Sequence, residues 1–101
     1  MGKLYELADG EELSREYPDT FGIPSEHERY NVIAGNNVKL IFVYASGQPS
    51  ERMWVNVTKV ESVDGNKVYT GFINNDPFNK KLKYRDIVEF YPKNIIRIDN
   101  T

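Results

Sequence analysis

The chain has 101 residues, which is enough for one domain with its own core and without stabilising cross-links. It contains no cysteine, so disulfides, cysteine-ligated zinc and thiol catalysis are excluded. Its net charge is −2, divided as −4 over residues 1–50 and +2 over residues 51–101, whereas a dedicated nucleic-acid binder usually has a basic domain.

No segment has the pattern of an export signal or a membrane span. The N-terminal residues MGKLYELADGEEL lack the apolar stretch of a signal peptide. No apolar run approaches the roughly 18 residues that a transmembrane helix needs. We therefore expect a single soluble domain over residues 1–101, located in the cytoplasm.

The first third of the chain has the signals of two short helices. Asp9 is placed to cap the first helix, and Pro18 ends it because the residue before a proline is driven out of the helical region. Ser25 and Glu28 have the spacing of a capping box for the second helix, and Gly35 is predicted to close it.

From Asn37 onward the pattern changes from helical to extended. Asp64-Gly65 is a strong hairpin signal between two of the predicted strands, and Gly71 is predicted to make room for a neighbouring ring. The predicted strands cover residues 38–45, 53–60, 68–73, 86–91 and 95–98. The predicted fold is α+β, with two short N-terminal helices packed on a strongly curled antiparallel sheet of about five strands, an SH3-like small barrel.

The strand around Trp54 separates core positions from surface positions. Met53, Val55 and Val57 alternate along the strand and are predicted to face the core. Val60 falls on the opposite parity, which indicates a bulge near Lys59.

Trp54 lies on the surface parity of that strand and is the centre of a predicted protein-binding site. An exposed tryptophan on a strand is a good interaction anchor. The alternative is that a predicted helix buries the ring with Leu13, Tyr17 or Phe21, and both possibilities stay open. The predicted partner-binding residues are Arg52, Trp54, Asn75, Asp76 and Phe78, although the Asn-Asn-Asp-Pro corner is also explained by side chains that bond their own backbone.

A basic segment follows that corner. An aromatic residue among cations is typical of loops that bind single-stranded nucleic acid. The alternative is a solvated loop, which the acidic total charge favours. The predicted nucleic-acid-binding residues are Lys80, Lys81, Lys83, Tyr84 and Arg85.

The sequence contains no pattern that identifies a reaction, a metal or a cofactor. The only histidine, His27, lies between two glutamates in the second predicted helix, where an exposed surface position is the simplest interpretation. One histidine without cysteine is a poor zinc set. No glycine-rich phosphate loop follows a strand, and no two of the carboxylates stand out as a hydrolytic pair.

Several strings together resemble a family of small bacterial domains of unknown function. They are ERMWVNVTKV, YTG, NNDP, and LKYRDIVEF followed by Pro-x-x-Ile, and the resemblance covers roughly Pro24 to Ile96. Related members lie near polymorphic toxin genes and are proposed to be immunity proteins. The family commonly has Gly-Asp in two turns where this chain has Gly35-Asn36 and Arg85-Asp86. The resemblance implies no enzyme activity.

Three functions follow from the sequence, in order of preference. The first is a non-catalytic module that binds another protein, of immunity type. The second is a small β-barrel that binds nucleic acid. The third is a small hydrolase with an unrecognised carboxylate pair.

Overall fold

Six antiparallel strands, two short helices and one 3-10 turn make up the fold in a computed structural model that describes residues 3–99. No helix in that range is long and apolar enough to cross a membrane. The elements in chain order are β1 (Tyr5–Leu7), α1 (Gly10–Glu16), α2 (Glu26–Tyr30), β2 (Asn37–Tyr44), β3 (Glu51–Val63), β4 (Asn66–Ile73), β5 (Ile87–Phe90), the 3-10 turn (Pro92–Asn94) and β6 (Arg97–Asp99).

The strands form one curled sheet in the order β1-β2-β3-β4-β5, and β6 also pairs with β2. Tyr5 of β1 lies opposite Tyr44, while Ile98 of β6 lies opposite Val38 at the other half of β2. This half-barrel confirms the prediction of a curled antiparallel sheet. The sequence did not predict β1, because three residues with two apolar positions give too short a pattern.

The core lies inside the curl and is built from alternate residues of each strand. Met53, Val55 and Val57 are at most 2% exposed, as their alternation predicts. Phe42 from β2 and Phe90 from β5 are fully buried in the same cluster. The strand parity that places these residues inside leaves Arg52, Trp54 and Asn56 on the outer side.

The β3–β4 hairpin has the predicted turn and the predicted irregularity. Asp64 and Gly65 both have positive φ, 52° and 81°, as a type I′ turn requires. The pairing register shifts between Val57 and Lys59, which confirms the bulge.

Gly71 is required for a different reason from the predicted one. A Cβ atom at this position would lie 2.3 Å from the backbone oxygen of Asn56 and 2.8 Å from a methyl group of Val55. No ring occupies the space; the two strand backbones approach each other beside the bulge. A glycine in a strand marks such an approach as readily as it marks a ring.

The helix starts are as predicted, and the end of α2 is not. Asp9 accepts a hydrogen bond from the Glu12 N–H, and Ser25 and Glu28 form a reciprocal capping box. α2 ends at Tyr30, whereas the sequence placed its end at Gly35. The chain leaves the helix early because Val32 turns into the core, where it is 3% exposed.

Both helices are held against the 3-10 turn by one buried arginine. Arg29 is 6% exposed, forms an ion pair with Glu11 of α1, and donates to the carbonyl oxygens of Pro24 and Pro92. Tyr69 of β4 donates to the Arg29 carbonyl at 2.7 Å. These bonds fix the N-terminal segment at one end of the sheet and leave much of its outer face open.

Candidate functional site

Positive charge is concentrated on the outer face of the sheet, the side turned away from the core. We call this surface the cationic face, and define it by four cations and the three rings beneath them: Lys39, Arg52, Arg85 and Arg97, with Phe21, Trp54 and Phe72. The residues come from β2, β3, β4 and β6, from the connector between the helices, and from the turn before β5.

Strand register brings the cations together. Lys39 lies directly between Trp54 on β3 and Arg97 on β6. Arg52 lies opposite Ile41, which is two residues from Lys39 and therefore on the same face. Lys39 and Arg97 face each other directly, where Cβ atoms are about 4.5–5.5 Å apart, and Arg52 is diagonal to Lys39 at about 7–8 Å.

Each of three cations rests on an aromatic ring. The Lys39 ammonium lies 4.7 Å from the centroid of the Trp54 ring. The Arg52 guanidinium carbon lies 5.6 Å from the Phe21 centroid. These contacts hold the charged groups in position while leaving their charge uncompensated.

The Arg85 guanidinium lies 5.0 Å from the Phe72 centroid and 6.0 Å from that of Tyr84. Phe72 on β4 lies opposite Asn56 on β3. Asn56 is two residues from Trp54, so Phe72 and Trp54 are on the same face of the sheet. Arg85 therefore extends the cationic face across β4.

Within residues 3–99, none of the four cations has a carboxylate oxygen within 4.0 Å. The nearest acidic position by register is Asp99, which follows Arg97 on the same side of β6 and faces Asn37. The protein as a whole has a net charge of −2. The cationic face is therefore a local reversal of the overall charge.

A cavity of about 320 Å³ opens on this face. Lys39, Arg52 and Arg97 line it from three strands, and within residues 3–99 no acidic residue lines it. The connector between the helices forms the opposite wall with Thr20, Phe21 and Gly22, and Ile96 completes the lining. Ile41 and Ile96 are buried there apart from the main core, and a Cβ atom on Gly10 of α1 would lie 3.0 Å from an Ile96 methyl group.

The predicted partner-binding residues fall on this face and just beside it. Arg52 is exposed, and Trp54 is half-buried, with the Lys39 ammonium over its ring. Asn75 accepts a hydrogen bond from the Trp54 N–H, so its side chain secures the end of the β3–β4 ladder. Asp76 is exposed, and Phe78 is 78% exposed on the following loop.

Glu51 holds that loop in place. Its carboxylate is 8% exposed and accepts hydrogen bonds from the Tyr44 hydroxyl and from the N–H groups of Phe78 and Asn79. Burial opposes ionisation of Glu51, but the three hydrogen bonds outweigh it and hold the pKa of the carboxyl below its ordinary value. Burial, together with the bond to Glu51, raises the pKa of Tyr44.

The residues predicted to bind nucleic acid lie in the segment between β4 and β5, and their side chains are exposed. Lys80, Lys81 and Lys83 are exposed on the loop, where the Lys81 and Lys83 N–H groups are capped by Asn79 and Asp86. Tyr84 is also exposed, and only Arg85 reaches the cationic face. Its φ of 77° turns the chain there.

The sequence interpretation did not include Lys39, Arg97 and Phe72. Lys39 was an isolated polar residue in an apolar strand, and Arg97 a charged residue near the end of the sequence. Their pairing across β2 and β6 joins distant parts of the chain, so alternation within one strand does not reveal it. An unexplained lysine in an otherwise buried strand was the one available signal.

His27 lies exposed on α2, beside Asn31, away from the cationic face. Among residues 3–99 no three side chains of metal-ligating type lie close enough together to hold a metal ion.

No family model, no curated protein and no solved structure matches this chain. The interpretation of the site therefore depends on its own residues and geometry.

Proposed function

We propose that this protein is a non-catalytic binding module whose cationic face docks on an acidic surface of another protein. The observation that carries the proposal is the grouping of Lys39, Arg52, Arg85 and Arg97 on one sheet face, where none of them forms an ion pair with a carboxylate of residues 3–99. Cations without such a pair are available to a partner of opposite charge.

The composition of the face is that of a protein interface. Arginine, tryptophan and phenylalanine are enriched in the energetically dominant parts of such interfaces, whereas lysine is depleted. Three of the four cations here are arginines, and two of them, Arg52 and Arg85, stand over aromatic rings. The rings limit the side-chain motion that binding must otherwise restrict, which reduces the entropic cost of association.

Nucleic-acid binding is the second candidate, and Arg85 is the residue that favours it. Arg85 belongs to the predicted basic segment and also contacts Phe72 on the cationic face. A single strand binds along a groove of cations with rings free for bases to stack on. Here Lys39 covers the Trp54 ring, and the face is set in a chain of net charge −2, so we prefer the acidic protein.

The family resemblance supplies a biological role for this binding. We propose an immunity-type protein of the family of small bacterial domains of unknown function, one that neutralises a toxin by binding it. We also propose that the sheet is an SH3-like small barrel, left open between β1 and β5. In support, Leu4, Tyr5, Glu89 and Tyr91 line one groove of about 570 Å³, which brings the two outer strands to opposite sides of a single opening.

The test is a quantitative capture of partners from the native host with three immobilised proteins. They are the wild type, a face variant with Arg52→Glu and Arg97→Glu, and a loop variant with Lys80→Glu and Lys81→Glu as the charge-matched control. We expect a partner protein that the wild type and the loop variant retain and the face variant loses at least tenfold. All four substituted side chains are exposed, so each variant should keep its fold, which circular dichroism checks.

Two results count against the proposal. Equal retention of every partner by the face variant and the wild type excludes the cationic face as the docking surface. Tight binding of single-stranded RNA at low salt that the loop variant loses favours the nucleic-acid candidate, because the phosphate contribution is largest there.

A further inference from the structure

We infer that the cavity on the cationic face is a site for a doubly charged tetrahedral oxyanion, which the acidic partner supplies as a phosphate monoester on one of its side chains. The inference rests on the proposed function for the source of the phosphate. The ligand chemistry itself follows from the cavity and is tested separately.

Three cations converge on this cavity from neighbouring strands. Lys39 and Arg97 face each other across β2 and β6, and Arg52 enters from β3. The connector closes the other side with Thr20, whose hydroxyl group is a further donor. A ligand in the cavity would therefore meet donors on several sides.

The charge of the cavity selects the charge of the ligand. None of the described residues that line it is acidic, so the three positive charges around the cavity repel one another. A dianion offsets more of that repulsion than a single carboxylate does. Arginine clusters bind phosphate through paired N–H donors, and a phosphate monoester carries a charge of about −1.5 to −2 at pH 7.

The geometry also distinguishes a monoester from a nucleic-acid backbone. A phosphodiester carries one charge per phosphate, and a single strand needs cations spaced along its length. Here Lys39, Arg52 and Arg97 line a single cavity. The lysines at 80, 81 and 83 do not line the cavity, so they do not continue it into a track.

The only tryptophan of the chain reports on this site. The Lys39 ammonium lies 4.7 Å from the Trp54 ring centroid, and Lys39 also lines the cavity. An anion that draws the ammonium toward the cavity changes the electrostatic environment of the ring. Trp54 fluorescence should therefore change as the cavity fills.

The experiment titrates the full chain with inorganic phosphate at constant ionic strength and follows Trp54 fluorescence. Sulfate is the dianionic comparison, and acetate and chloride are the monoanionic controls. We expect saturable changes with phosphate and sulfate, and at least tenfold weaker responses with acetate and chloride. A phosphate response no stronger than that of chloride overturns the inference, and leaves docking by the cationic face intact.

Variants locate the bound anion. Arg52→Met and Arg97→Met each remove a cavity cation without touching the lysine over the tryptophan, and each should weaken phosphate binding about tenfold, equivalent to about 1.4 kcal/mol. Lys81→Met makes the same charge change outside the cavity and should leave the affinity within twofold. Equal weakening by all three variants shows that the response depends on net charge and refutes the site.

The source of the phosphate is tested with two acidic peptides that differ only by phosphorylation of one serine, and with a single-stranded RNA of equal charge. We expect the phosphopeptide to bind at least tenfold more tightly than the unphosphorylated peptide, and Arg52→Met to remove that preference. Equal binding of the two peptides overturns the monoester inference, whereas the partner capture above still tests the proposed function. Tighter binding of the RNA than of the phosphopeptide also overturns it.

Discussion

The carboxylate of Glu51 offers the sharpest test of how the loop after β4 is held. Two donors reach its Oε1 atom, the Tyr44 hydroxyl and the Asn79 N–H, and the Phe78 N–H reaches Oε2 at 2.8 Å. The substitution Glu51→Gln keeps the shape of the side chain, removes its charge, and replaces one acceptor oxygen with a donor. It therefore perturbs this set of bonds with little change in packing.

The expected cost follows from counting donors. If the amide oxygen takes the Oε1 position, the new NH₂ group faces the Phe78 N–H, donor against donor, at a site that is 8% exposed. An unsatisfied buried donor costs about 1–3 kcal/mol, and bonds to a neutral acceptor are weaker than bonds to a charged one. We expect Glu51→Gln to lower the free energy of unfolding by about 2–4 kcal/mol.

Urea denaturation monitored by circular dichroism measures this loss. For a domain of about 100 residues, each kcal/mol corresponds to roughly 4–8 °C in Tm, so thermal unfolding should shift by about 8–32 °C. Glu61→Gln is the matched control, because Glu61 forms only an exposed ion pair with Lys59 at 3.6 Å. Such pairs contribute at most about 1 kcal/mol, so the control should stay within about that limit.

A loss no larger than that of Glu61→Gln refutes the reasoning. It would mean that the Phe78 and Asn79 N–H groups find other acceptors when the carboxylate is removed, and that the loop does not depend on Glu51.

Three further measurements test the same structure. The folded pKa of Glu51 lies below its ordinary value of 4.5, so the stabilisation by its carboxylate is complete above that value and is lost as pH falls toward the folded pKa. The difference in unfolding free energy between wild type and Glu51→Gln should therefore shrink below about pH 4.5. A difference that stays constant with pH would contradict the pKa shift. Gly71→Ala should destabilise the protein by about 1–3 kcal/mol or more in urea, because the new Cβ lies 2.3 Å from the Asn56 oxygen and backbone must move. Gly65→Ala should lower the free energy of unfolding by about 1–2 kcal/mol, since φ at this turn is 81°. The control Gly22→Ala, at a position with open space and no positive φ, should lie within about 0.5 kcal/mol of the wild type. Equal effects at these two glycines would contradict the turn geometry.

Local chemistry explains which parts of this fold the sequence predicts. The caps at Asp9 and Ser25 depend on side chains three residues from their partners, and the turn at Asp64-Gly65 depends on two adjacent residues. In each case the interaction is complete within a few residues, so a short window of sequence contains it. The end of α2 depended instead on the distant core that buries Val32, and it was misplaced.

The candidate site could be predicted only in part for the same reason. Strand alternation placed Arg52 and Trp54 on the outer face, which the register confirms. It gave no means of joining Arg97 to Lys39, because that pairing depends on β6 returning to the edge of β2. A site assembled across strands is visible from sequence only once the strand order is known.

The sharing of one edge of β2 between β1 and β6 has a consequence for biosynthesis. Leu7 of β1 ends opposite Phe42 and Arg97 of β6 begins opposite Lys39, so the two strands run in line as a single interrupted neighbour of β2. One part of that neighbour leaves the ribosome among the first residues of the sheet and the other among the last. The part of the β2 edge at residues 37–39 therefore stays unpaired until residues 97–99 have been synthesised. During that time it can pair with strands of other chains.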